Sequence, residues 1–237
     1  MGSAPLARWS PLLLHRATKP VVWLLCLAPL AWMVVALLTD RLGPNPAEAL
    51  IRSSGDWALR GLCLALAITP LRQALGLTPL ARLRRLIGLF AFFYAALHAL
   101  CYLWLDMGWL WDDALQDVLQ RPFILVGALA LLVLLALALT SPQRVLQALG
   151  ARRWQRLHLG IHAAAWLALL HFYWMRLGKN LWAEVAVYAT IVLLLQGWRV
   201  FKKRARHWPA PAGGLSGESA RPARAGARRG CHQTTGR

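Results

Sequence analysis

The chain has 237 residues, 58% of them hydrophobic, with 13 tryptophans and a mean hydropathy of +0.46. Soluble globular domains are only about 45–50% apolar, so this composition points to an integral membrane protein. The formal net charge of +18 would suit nucleic acid, but its placement argues against that partner, as shown next.

A membrane-spanning helix needs about 20 mostly apolar residues. Six stretches qualify: 21–38, 57–75, 86–105, 122–140, 154–174 and 182–201. Most of the lysines and arginines lie before residue 20, in 71–85, in 141–156 and from Arg199 onward, while Asp106, Asp112, Asp113 and Asp117 sit between the third and fourth stretches. This alternation follows the positive-inside rule and predicts both termini in the cytoplasm. The expected fold is an all-α integral membrane protein with six transmembrane helices. It comprises a basic arm (1–20), a six-helix domain (21–201) and a basic, disordered tail (202–237) suited to anionic lipid.

In chain order, the first helix has no small-residue cleavage site after it and reads as an anchor. Residues 42–56, rich in Gly, Pro and Ser, read as an outer loop, with Asp56 as the cap of the second helix. Pro70 is expected to stop or kink that helix. A cytoplasmic link ends in Arg82, Arg84 and Arg85. The third helix carries His98 in its outer half, six residues before Trp104; Trp104, Trp109 and Trp111 have the character of interfacial anchors. The fourth helix offers no ligand-type side chain and reads as a structural wall. The fifth opens with Arg152, Arg153 and Arg156 and then carries His158, His162 and His171. A short outer turn with Arg176, Gly178 and Lys179 leads to the sixth. No internal repeat is evident. The four cysteines (Cys26, Cys63, Cys101 and Cys231) are scattered with no C-x-x-C pair, so neither a zinc site nor a disulfide framework is expected.

Ionisable side chains at membrane depth are costly and usually functional, and imidazole is a common axial ligand of haem iron. His158 and His171 are about 20 Å apart along a helix axis, which places one near each membrane face. His98 and His171 match in depth on neighbouring spans, so a haem held between them would satisfy both rings. His158 would serve a second haem near the cytoplasmic face, but the matching position 14 residues before His98 is Arg84, not an iron ligand. His162, one turn deeper than His158, is a candidate extra ligand or a packed histidine. Arg84, Arg85 and Arg153 share that face with Arg152 and Arg156; the cluster suits topology and headgroup contact, or haem propionates or a cofactor phosphate. No phosphate loop and no nucleophile–base pair is present.

The stretches WALRGLCLALAITPLR (57–72), RRLIGLFAFFYAALH (84–98), RPFILVG (121–127), LALTS (137–141) and GARRWQRLHLGIHAAAWLALLHFYW (150–174) resemble the MsrQ (YedZ) family of the ferric reductase-like transmembrane group. The R-x-W-Q-x-L-H stretch with a histidine 13 residues on is the most specific. The resemblance spans roughly residues 20–200. It implies a haem b-bearing subunit, with one or two haems, in a bacterial inner membrane. Such a subunit passes electrons from quinol to MsrP, a periplasmic molybdopterin enzyme that reduces methionine sulfoxide. Family ligand positions map onto His98, His158 and His171; FMN is a further expected cofactor, and a cytoplasmic flavin reductase a further partner. Two rivals are a ferric-chelate reductase-type electron carrier, which needs a flavin domain from another chain, and a histidine-dependent proton or metal transporter, which would be colourless.

Overall fold

The computed structural model describes residues 15–177 and 182–207; the rest of the expected arm and tail, with Gly178, Lys179 and Cys231, lies outside the described residues. The described elements are helical: α1 (Thr18–Leu38), α2 (Pro46–Leu75), a short 3-10 turn (Thr78–Leu80), α3 (Ala81–Cys101), α4 (Trp111–Gln120), α5 (Pro122–Leu139), α6 (Gln143–Leu149), α7 (Ala151–His158), α8 (Gly160–Leu177) and α9 (Trp182–His207). Among them five helical stretches are long and apolar enough to cross a membrane: Thr18–Leu38, Pro46–Leu75, Thr78–Asp106, Pro122–Leu139 and Trp182–Lys202.

Four expectations about the helices are corrected. Residues 46–56 are helix rather than loop. The side chain of Asn45 accepts from the Glu48 N–H at 3.1 Å, Pro46 occupies the first turn and Gly76 closes the far end at φ +68°, a full set of terminal signals. Asp56 is therefore not a cap but lies well inside α2, and Pro70 does not end the helix, which runs on to Leu75. The expected span at 154–174 is divided. Its arginine-rich start forms the separate α7, a turn at Leu159 follows, and α8 runs from Gly160 to Leu177. The helix α8, which carries His162, His171 and Arg176, is not among the five apolar stretches.

Two antiparallel pairs form the centre: α2 packs closely on α3, and α5 on α8. Leu62, Leu66, Ala91, Leu134, Ala164 and Ala165 fill the space where all four meet. Alanines at that crossing let backbones approach, as suits helices in lipid. The helix α9 covers α8 and α2 through Val192, packed with Leu59, Cys63, Leu169 and Phe172. Large apolar side chains of α1, α5 and α9 point outward, Leu24, Leu132 and Leu194 among them. The pairs also echo each other in sequence, LALAITP (64–70) against LALALTSP (135–142), a correspondence that only the fold makes plain.

The helix α1 is tied to this centre by Trp23 packed edge-on against Phe90 and by hydrogen bonds to Tyr94. Pro29 interrupts α1, and the Tyr94 hydroxyl enters the gap, donating to Cys26 O at 2.7 Å and accepting from Leu30 N–H at 3.1 Å. Side-chain insertion into the helical ladder is one recognised cause of a bend. Phenylalanine at 94 removes the hydroxyl that bridges these two backbone groups and unties α1 from α3, so Tyr94→Phe is expected to lower stability by about 1 kcal/mol. Thermal unfolding in detergent measures it.

The segment after α3 closes in a π turn (Tyr102–Asp106), and Tyr102 donates to Asp117 Oδ2 at 2.6 Å. The short helix α4 that follows shows Trp111, Leu115 and Leu119 on one exposed face, the pattern of a helix lying in a membrane interface. Trp104, Trp109 and Trp111 are exposed around this segment.

Candidate functional site

His98 on α3 and His171 on α8 face each other across the centre, with ring centroids 6.0 Å apart and planes at 74°. The Nδ1 of His98 lies 2.8 Å from Ile51 O on α2, and the Nδ1 of His171 lies 2.7 Å from Phe123 O on α5. A carbonyl oxygen only accepts, so each Nδ1 carries the proton and each Nε2 keeps a free lone pair. This is the arrangement in which outer contacts fix the tautomer of a metal-binding histidine. With metal–imidazole bonds of about 2 Å and ring centres roughly 1 Å beyond the nitrogens, two rings sharing one metal stand about 6 Å apart. The observed spacing fits one metal between them.

A cavity of about 720 Å³ opens at the basic end, lined by Arg84, Arg85, His158, His162, Arg199 and Lys202 among others. His158 is stacked on Trp154 at 3.9 Å, and its Nδ1 lies 3.2 Å from Trp154 O. Trp154 is held in turn, its Nε1–H donating to Thr140 O at 2.9 Å. His158 and His162 share the cavity wall, as the one-turn spacing predicts. Arg153 does not line it; the side chain is exposed on α7. No cluster of three or more His, Cys, Asp or Glu side chains suited to a metal ion occurs among the described residues.

Arg176, placed by the sequence in an outer turn, is instead a buried residue of α8, only 6% exposed. Its Nη2 donates to Asp56 at 2.9 and 3.1 Å, and Glu184 lies 3.3 Å away. The guanidinium also sits 4.9 Å over the Phe172 ring. This pair links α2 to α8 beside the two facing histidines.

The ferric reductase like transmembrane component family matches residues 54–170, from α2 into α8. A protein-methionine-sulfoxide reductase heme-binding subunit MsrQ of Polaromonas naphthalenivorans is 53% identical over 83% of this chain and 88% of its own length. The chain belongs to the MsrQ family. MsrQ relatives of the same description from Ralstonia nicotianae and Bordetella pertussis are 44% and 47% identical, over 78% and 77% of this chain and 86% and 88% of their own. No solved structure matches.

Within this MsrQ-family chain, sequence reasoning brought His98 and His171 together correctly and put His158 and His162 on one wall. It missed the Ile51 and Phe123 carbonyls, because every residue has one and no side chain marks which is used. It also missed Gly55 and Gly127, each of which lies against an imidazole ring. The helix α5 is thus more than a wall: it has no ligand-type side chain of its own, but its Phe123 carbonyl holds the His171 ring in place.

Proposed function

We propose that this chain is the haem b-bearing subunit of a methionine sulfoxide reductase system in a bacterial inner membrane. It carries electrons from quinol, directly or through FMN, to a periplasmic molybdopterin partner of the MsrP kind, which reduces the sulfoxide. The observation that carries the reading is the facing pair His98 and His171, at the spacing of a shared metal and each anchored through Nδ1. Six spans with cytoplasmic termini follow if α8 crosses with the five more apolar stretches, and the positive-inside pattern supports that orientation.

His98 and His171 would hold the haem iron through their free Nε2 atoms. Haem bound there supplies a one-electron ferric–ferrous couple whose potential depends on ligands, hydrogen bonds and burial. The residues around it do the rest. Ile51 and Phe123 hold the rings through Nδ1–H, the alanine-rich crossing excludes water, and the Asp56–Arg176 pair fixes the spacing of α2 and α8. At the basic end, Arg84 and Arg85 would meet the negative charge of a second haem's propionates or an FMN phosphate, with His158 the imidazole that would hold that haem's iron. Arg153, exposed and outside the cavity, has no such role in this reading.

An absorbance spectrum of the detergent-purified protein, oxidised and dithionite-reduced, tests the reading. Reduced b-type bands are expected; a protein that stays colourless with excess haem would overturn it and favour a transporter. For the basic end, Arg84→Gln combined with Arg85→Gln is expected to weaken retention of the anionic cofactor about tenfold or more, since a hydrogen bond to a charged group contributes about 1.5–3 kcal/mol. The outer bands should persist. Cofactor content per chain after gel filtration reads both. A reporter inserted between α3 and α4 is expected to be active only on the periplasmic side, and cytoplasmic activity would invert the topology.

A further inference from the structure

Both facing histidines are held by the same backbone device, repeated on two helices. On α2 the carbonyl that accepts from His98 belongs to Ile51, and four residues on is Gly55. On α5 the carbonyl that accepts from His171 belongs to Phe123, and four residues on is Gly127. Carbonyl i and N–H i+4 are partners in one helical hydrogen bond, so each imidazole lies over such a bond and shares its oxygen. A Cβ at Gly55 would stand 3.0 Å from His98 Nδ1 and 3.1 Å from its Cε1. At Gly127 it would stand 2.8 and 2.9 Å from the same atoms of His171. The rings cannot retreat without giving up hydrogen bonds of 2.8 and 2.7 Å.

We propose that Gly55 and Gly127 are positioning residues for the two imidazoles, each providing the gap that lets a ring reach the carbonyl one turn earlier. The inference rests on the reading of His98 and His171 as haem ligands and adds what sets their orientation and basicity. A ring pushed off its carbonyl donates a weaker Nδ1–H bond and becomes a less basic ligand. Outer partners of this kind typically affect metal affinity about 10- to 100-fold. Gly61 makes the comparison informative. It sits on the same helix α2, where a Cβ would meet Ala91 Cα at 3.1 Å, so it serves helix packing and touches no histidine.

The test uses the haem-loaded full chain in detergent. Gly55→Ala and Gly127→Ala are expected to shift the low-spin electron paramagnetic resonance signal, raise the midpoint potential and lower haem retention about 10- to 100-fold. Gly61→Ala should lower only thermal stability. Unchanged signal and potential in both alanine variants would overturn the proposal. A double-mutant cycle guards against simple misfolding: the stability lost in Gly55→Ala should vanish in the His98→Ala background, where the ring is gone. Equal loss in both backgrounds would assign Gly55 to helix packing and overturn the proposal there; the His171→Ala background decides Gly127 likewise. A wild-type protein without a bis-imidazole signal would instead defeat the ligand reading itself. The cycle would then still decide whether the glycines make room for the rings.

Discussion

Alanine at His98 or at His171 is expected to remove the reduced bands of the outer haem and to stop electron delivery, each variant nearly as completely as both together. The two rings meet at 6.0 Å through different helices, so neither can cover for the other. Removing one leaves the opposite imidazole anchored to its carbonyl at 2.7 or 2.8 Å and unable to swing across. His162→Ala should keep those bands, because His162 lines the cavity at the other end of the bundle. His158→Ala should leave the outer bands and reduce only what the basic end retains. Spectra of the four variants, with haem per chain, decide the matter. Outer bands that persist in His98→Ala and in His171→Ala would refute the pairing.

That pairing was legible in the sequence because it needs only depth and order. Two spans that both run from the basic end outward carry their histidines near the same far end, and 3.6 residues per turn separates His171 from the face shared by His158 and His162. The limits of α2 were not legible for the opposite reason. Arg52, Ser53, Ser54 and Asp56 look like loop residues, yet Ser54 is fully buried, its hydroxyl donating to Leu50 O at 2.7 Å and Ile51 O at 2.9 Å. Asp56 finds its partner 120 residues away. Local propensity carries no information about a partner that distant, and a buried polar group without one would indeed argue against a helix. The division at Leu159 was hidden as well. The arginines ahead of it were read as the charged mouth of one span, whereas they form the short helix α7, set off by Gly150 at φ +75°. The echo between the two helix pairs was hidden because its sequence part, residues 64–70 against 135–142, is short and apolar, and the rest lies in backbone acceptors and glycine gaps.

The same distant partner leads to the second large expected effect. Arg176 is 6% exposed and Asp56 21% by side chain, while Glu184 is 49% exposed and farther off at 3.3 Å. Breaking a buried pair from one side costs about 3–5 kcal/mol, because the remaining charge is left in a poor solvent. Asp56→Ala should approach the top of that range, since the deeper charge is the one abandoned. Arg176→Ala should cost somewhat less, since Asp56 can reach water. Glu184→Ala should cost no more than about 1 kcal/mol, as for exposed pairs. Replacing both partners by apolar residues, Asp56→Leu with Arg176→Met, should recover much of the loss, because no charge is then stranded. Asp56 adjoins Gly55, which lies against His98, and Arg176 lies five residues beyond His171. The single variants should therefore also loosen haem retention, and the apolar pair should restore stability more fully than retention, because it does not rebuild the directed bonds between α2 and α8. Thermal unfolding and haem content across the four proteins separate the two effects. Losses that simply add in the double variant would mean that the two side chains act independently, and the link between these helices would have to be sought in the packing of Leu59, Cys63 and Leu169 instead.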